Sequence, residues 1–380
     1  MKIKVSFPHM GNYVHAWKPL AELVADEVVV APPITKRTAE LGFKHSPECV
    51  CIPFKYNLGN FIEALELGAN ALIQGGGGCR FGHYAEVQEG ILRKLGYDFR
   101  FIKLNDHYGI AGLARDFKNI NPKISYFAIA KILALCRERV RCLDAIEDYV
   151  RKNIGFEKNK GEFDAALEGF LARLGNEYSI RGVWRLKKEF QKKFSAIGTD
   201  KPENCLRVGV IGEIYAVMEP FCNFNLEKEL AKYGVEITRF VNVTRVLHDF
   251  FSGGRNVKQH VKSAWPYLKY SLGAHGTESV ARAEEMIRQG FDGIIHLKPF
   301  GCMPEVNAMS ALNNLSKDFR VPILYFSFDS QTSRTGIATR LEAFYDMLHM
   351  KKHQAPNSKQ IPMFKTDSFR ILILVLGNCL

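Results

Sequence analysis

The 380-residue sequence predicts an α/β protein with two Rossmann-like, doubly wound domains and a helical region between them, and three observations carry that reading. Over residues 1–110, short β-branched or apolar runs alternate with helical patterns, the signature of βαβ units on a parallel sheet. From 111 to 204 the strand signals give way to long, charged, amphipathic stretches. From 205 to 350 the alternation returns. A tail over 351–380 follows, with two prolines, basic residues and then an abrupt apolar run.

In the first domain, strands are expected over 2–6, 27–31, 71–74 and 99–103, and helices over 17–24, 35–41, 54–67 and 84–95. The helical middle rests on 129–152 and 163–174, where apolar residues recur at helical spacing. In the second domain RVGVIGEIY supplies the first strand and turn. Further strands are expected at 235–240, 293–297 and 322–328, and helices at 226–232, 278–289, 305–315 and 337–348. No solenoid-type repeat interrupts this order. Ligands of doubly wound sheets bind beyond the carboxyl ends of the strands, so the two domains are expected to face one another across a cleft.

A hydrophobic content of 47% with 24% charged residues is that of an ordinary globular chain and excludes a disordered or fibrous one. No apolar run approaches the roughly 18 residues that span a bilayer, so no membrane association is expected. The start, MKIKVSFPHM, has neither a secretory apolar core nor a cleavage site. A cytoplasmic protein is expected, with its nine cysteines as thiols and some of them ligands. The net charge of +12 raises the question of nucleic acid, but Arg181, Arg185, Lys187, Lys188, Lys192 and Lys193 cluster without any nucleic-acid motif. They read as a solvated helix face, or as a docking surface for an acidic partner or an acidic cofactor such as coenzyme A.

Three cysteines share one local pattern. Cys51 in CIPFK, Cys79 in GGGGCRFGHYAE and Cys302 in PFGCMPE each stand where an extended or glycine-rich stretch gives way to a helix start. The unpaired N–H groups and partial positive charge there favour a thiolate or an anionic metal cluster. Pro53 and Pro304 suit the first turns of two of these helices. Three thiolates fall one short of a closed four-thiolate site; an iron–sulfur cluster held that way would keep one iron open for water or substrate. Cys79 and Cys302 each follow a strand, one per domain, which puts the site at the interdomain cleft. Cys49 forms a C-x-C pair with Cys51 and is a candidate extra ligand, although a single ligand is geometrically easier. Cys136, Cys142, Cys205 and Cys222 read as core thiols and Cys379 as a bystander. The absence of any C-x-x-C argues against zinc ribbons and thioredoxin-like chemistry.

The glycine run at 75–78 lacks both the Lys-Ser/Thr ending of a P-loop and the G-x-G-x-x-G spacing. Gly76, Gly77 and Gly78 instead suit close backbone approach to a bulky inorganic cluster, with a plain tight turn as the alternative. Acid–base candidates are His275, His296 and Glu305, with His83 and Lys55 as supporting residues beside the cysteines. His296, among apolar strand neighbours, is equally a structural histidine. Glu305, early in a helix, is equally a partner for the helix dipole.

These residues lie in ordered blocks: SFPHMGN, PPITKRTAELG, CIPFKYNLGNFIEALELGA, GGGGCRFGHYAEVQ, GEIYAVMEPFCNFNLEKEL, GAHGTESV, HLKPFGCMPE and TRLEAF. Through them nearly all of residues 1–350 resembles the 2-hydroxyacyl-CoA dehydratase and benzoyl-CoA reductase superfamily, in particular its acyl-CoA dehydratase activase-related branch. The resemblance implies an oxygen-sensitive iron–sulfur protein of anaerobic metabolism, with a 4Fe-4S cluster on Cys51, Cys79 and Cys302. It also implies a partner activase, an ATPase of the actin and sugar-kinase type that delivers low-potential electrons, and a homo- or heterodimer. In the dehydratases the electron forms a substrate ketyl radical while the open iron binds the thioester carbonyl or hydroxyl. No D-x-G-[ST] loop of the actin type stands near a strand start here, so the ATPase is expected to be a separate protein. Ser330, Ser333 and Arg334 depart from the acidic or glycine residues that relatives tend to carry. The extra thiol of Cys49 leaves room for a double-cubane type of cluster. The expected function is reductive or radical chemistry on an acyl-CoA or other small substrate, as a dehydratase or reductase component. The alternatives are a non-catalytic electron-transfer or cluster-carrier protein of the same fold, and a nucleotide-binding regulator with structural cysteines.

Overall fold

The computed structural model describes residues 2–76, 79–105, 109–251 and 255–353, and it is an α/β structure with two four-stranded parallel sheets. The first contains β1 (Lys4–Ser6), β2 (Glu27–Val28), β3 (Ala71–Gly76) and β4 (Arg100–Asn105) in the order β2-β1-β3-β4. The second contains β5 (Leu206–Gly212), β6 (Val235–Arg239), β7 (Gly293–Pro299) and β8 (Ile323–Phe328) in the order β6-β5-β7-β8. All eight expected strands are present. β2 is shorter than expected, because the chain runs into Pro32 and Pro33, which have no N–H to give a ladder. In both sheets the order reverses between the first strand and the third, so the turns after β1 and β3, and after β5 and β7, diverge from a switch point.

The helices of the first half are α1 (Val14–Val24), α2 (Lys36–His45), α3 (Ile52–Glu66) and α4 (Tyr84–Lys94). The helical stretch that follows contains α5 (Gly109–Ile120), α6 (Tyr126–Asn153), α7 (Glu162–Gly175) and α8 (Ile180–Ser195). Around the second sheet lie α9 (Ile214–Met218), α10 (Leu226–Ala231), α11 (Val243–Phe251), α12 (Arg255–Ser263), α13 (Gly276–Arg288), α14 (Met303–Phe319) and α15 (Arg334–His353). No element was expected over α11 and α12; the β-branched and aromatic residues of VTRVLHDFF have only modest helix propensity, and packing decides their state. Helix α15 takes in residues 351–353, assigned above to the tail; 354–380, with Cys379, lie outside the described residues. Among the described residues no helix is long and apolar enough to cross a membrane.

Helices α2 and α3 set the position of Cys51, and they cross backbone to backbone. A Cβ on Gly42 would stand 1.9 Å from the Lys55 carbonyl oxygen, and one on Gly59 would stand 2.0 Å from that of Thr38. The start of α2 is secured by a capping box between Thr35 and Thr38, and the Thr38 hydroxyl also donates to Glu63 of α3 at 2.7 Å.

One continuous core joins the two halves: Tyr13, Ile52 and Tyr56 pack in the same cluster as Phe163, Phe170 and Phe194 of the middle helices and Val208, Ile237 and Phe326 of the second sheet. Polar ties reinforce it. The buried Glu219 carboxylate accepts the Gly11 N–H at 2.7 Å and lies 3.2 Å from His9 Nδ1. Gly11 sits at φ +49°, and a Cβ there would be 2.7 Å from the Met218 carbonyl oxygen. Deeper, Arg239 pairs with Glu147 at 3.1 Å and Glu227 at 3.5 Å, and Asn12 donates to Glu147 at 2.8 Å.

Two glycine substitutions are expected to act in opposite directions. Gly59→Ala forces the crossing apart and should cost about 1–3 kcal/mol. Gly90→Ala, in exposed α4 with nothing within 4 Å of the added Cβ, should stabilise by about 0.5–1 kcal/mol. Thermal denaturation of the two variants beside the wild type measures both signs.

Candidate functional site

Each of the three cysteines caps a helix, as their contexts predicted. Cys51 is the N-cap of α3 and Cys302 of α14, with Pro53 and Pro304 in the first turns; Cys79 caps a short 3-10 helix, Arg80–His83, that leads into α4. Cys79 follows β3 and Cys302 follows β7, so both stand at the carboxyl ends of strands beside the switch points. The chain segments meet: the Cys49 carbonyl oxygen is 3.8 Å from where a Cβ on Gly301 would stand.

The three thiols lie within range of common charges. The Cys51 thiol is pushed up to about 11, chiefly by burial and further by the Glu213 carboxylate and Cys79, against the pull of the Tyr84 hydroxyl 2.9 Å from its sulfur. Burial also raises Cys79, with Glu213 adding to it, while the Phe81 N–H 3.4 Å from Sγ and the charge of Arg80 lower it. Cys302 is raised by burial, by the Glu305 and Glu213 carboxylates and by Cys51. All three are therefore neutral thiols in the metal-free protein at neutral pH.

Glu213 is the group common to these three environments, and it was not among the sequence candidates. It caps α9 by accepting the N–H groups of Tyr215 at 3.1 Å and Ala216 at 2.9 Å. Burial raises its carboxyl, the two N–H groups and His275 lower it, and Glu305 raises it. Gly212 aims it: at φ +133° its Cβ would fall 1.9 Å from the Leu297 carbonyl oxygen of β7. The signal was present, since GEIY places an acid directly after a strand that ends in glycine. Lys298 was also missed: it is buried at the end of β7, where burial lowers its ammonium while Cys302 and Glu305 raise it.

The histidines divide. His275 Nδ1 lies 3.2 Å from Glu278. Burial works against its charge, but that hydrogen bond and the charges of Glu278, Glu305 and Glu213 carry it above the ordinary imidazole value. His296 is fully buried in β7 with Nε2 2.7 Å from Glu305, and Glu305 also accepts the Ser279 hydroxyl at 3.2 Å. Glu305 is thus an interior partner of His296, whereas the sequence offered helix-dipole pairing. His83 is exposed, and the buried Lys55 is turned to α2, 5.3 Å from the Phe43 ring centroid. Cys49 is exposed. Gly76 makes room for the Phe81 ring, 2.1 Å from where its Cβ would be, and Gly77 and Gly78 lie outside the described residues. Of the four cysteines assigned to the core, Cys136, Cys142 and Cys222 are buried, but Cys205, just ahead of β5, is half-buried.

Among the described residues no three His, Cys, Asp or Glu side chains are grouped so as to hold one metal ion. In an iron–sulfur cluster each thiolate bonds to a different iron, which asks for a wider spacing than a single ion does. The donor set suits such a group: three thiols on helix N-caps, each raised by burial, are what a cationic metal centre deprotonates and compensates. Comparison with known protein families finds no family model that matches the chain, and none of the curated proteins matches it.

Alkylation by iodoacetamide reads the Cys51 environment directly. In a Cys49→Ser background without metal, a thiol titrating at about 11 is roughly 1% thiolate at pH 9, so its rate should keep climbing above that pH. Tyr84→Phe removes the hydrogen bond that favours the thiolate and should slow the reaction at pH 9 severalfold, as read by mass spectrometry of the Cys51 peptide.

Proposed function

We propose that Cys51, Cys79 and Cys302 hold an iron–sulfur cluster, most readily 4Fe-4S, and that the protein uses single low-potential electrons for reductive or radical chemistry on an acyl-CoA or another small substrate. The electrons come, in this reading, from a separate ATP-dependent activase of the actin and sugar-kinase fold. What supports it is one observation: three thiols from three separate segments each stand on a helix N-cap, and of the four thiols that Glu213 acts on, the fourth, Cys222, is buried in the core. The bound group would supply one-electron redox chemistry and an open iron.

The protein's own residues have definite tasks in this reading. The helix N-termini at Cys51 and Cys302 favour the thiolates. Tyr84 orients the Cys51 sulfur through its hydroxyl. Lys298 brings a buried cation to Cys302. Glu213 is the carboxyl whose charge acts on all three thiols, and His275 acts in turn on Glu213.

Anaerobic purification with iron and sulfide analysis is the test. The wild type should carry both, and Cys79→Ala should lose most of its iron; a wild type that stays colourless and iron-free after anaerobic reconstitution ends the reading. If a substrate docks at the open iron, the EPR spectrum of the reduced protein shifts when acyl-CoA is added. An unchanged spectrum assigns the protein to electron transfer instead.

A further inference from the structure

A pocket along edge strand β6 has none of Cys51, Cys79 and Cys302 in its lining, which instead includes the buried Cys142. This open pocket of about 560 Å³ is lined by residues of α6, α8, β5, β6, the end of α13 and the start of α11. Its lining contains six cationic side chains and four carboxylates. The carboxylates are all engaged: Glu138 with Arg141 and the Trp184 indole, Asp148 with Lys152, Glu236 with Arg207, and Asp144 with Tyr13 and the Thr244 N–H. Arg239 is taken by Glu147 and Glu227.

Two cations remain. Lys187 and Arg245, both half-buried, have no carboxylate within ion-pair distance among the described residues; Arg245 rests on the Phe240 ring, 4.4 Å from its centroid. Burial and the neighbouring Arg282 disfavour the Arg245 charge, and the more distant carboxylates of Glu278, Glu285 and Asp148 offset this only in part. Arg239 Nε on the same wall is buried without a partner, and the Thr244 hydroxyl, which also favours the charged Asp144 carboxylate, makes no hydrogen bond of normal length. Leaving such groups unpaired costs about 1–3 kcal/mol each, more for a charge, which an anion rich in acceptor oxygens recovers.

We infer that this cavity binds a phosphate-bearing small molecule, its phosphoryl oxygens on Arg245, Lys187 and the Thr244 hydroxyl. A phosphoryl group carries up to two negative charges and three acceptor oxygens, which matches two free cations and a hydroxyl better than one carboxylate does. The volume lies in the range of small-molecule pockets, roughly 300–1,000 Å³, and exceeds what a lone phosphate fills. Trp184, 56% exposed at the rim with its indole N–H anchored on Glu138, offers a flat apolar face to the rest of the ligand.

Titration calorimetry of the purified full chain at low salt with inorganic pyrophosphate and with ADP tests the assignment. Both should bind. Equal affinities identify the phosphoryl group as the whole ligand; tighter ADP adds the ring contact at Trp184. Lys187→Gln and Arg245→Gln should each weaken binding about tenfold, while Lys188→Gln, on the exposed face of the same helix, should leave it unchanged. Absence of binding by either probe at millimolar concentration overturns the inference. So does equal weakening by Lys188→Gln, which would mark a diffuse charge effect. Because Lys187 is only half-buried, its variant tests the site even if Arg245→Gln fails to fold.

Discussion

The carboxylate of Glu219 holds the turn after β1 against the end of α9, and the arrangement of the site depends on that contact. It accepts the Gly11 N–H and faces His9, so a segment of the first sheet is bonded to a segment of the second through one buried charge. Hydrogen bonds to a charged group contribute about 1.5–3 kcal/mol each, and here they also set a distance. With Gly11 nearly touching the Met218 carbonyl, no side chain separates the two backbones. The turn after β1 is thereby fixed beside α9, and the charge of Glu213, at the other end of that helix, acts on thiols of both halves.

A second buried network keeps this junction in register. Tyr13 bonds Asp144, Asn12 bonds Glu147, and Glu147 and Glu227 share Arg239 and Arg151. These groups come from the turn after β1, from α6, from β6 and from α10. Buried charges are costly unless each meets its partner, so a shift of any one element would strand several of the others. The middle helices are in this way part of the joint between the sheets, and α6 carries polar ties to the turn on one side and to β6 and α11 on the other.

Much of the local structure could be read in the chain because it is decided locally. The eight strands, the long α6, and the helix starts at Cys51 and Cys302 follow from periodicity, β-branched runs and a proline two residues past each cysteine. Glu305 and His296 were named from the chain, but their pairing in the interior was not visible. A capping acid and a buried partner look alike in sequence, and only the side of α14 that meets β7 separates them. Glu213 and Lys298 were missed for a related reason: each follows or ends a strand without a motif of its own, and its weight comes from neighbours distant in the chain.

The residues alone settled an alternating α/β chain and the cysteines at helix starts. These depend on spacing and on the conformational limits of Gly and Pro, which act within a few residues. The action of Glu213 on Cys51, Cys79 and Cys302, the turning of Lys55 toward Phe43 and the cavity with Lys187 and Arg245 came from the packed molecule. Burial, field and unpaired charge are properties of what surrounds a group, and in a folded chain most of those surroundings are far away in sequence.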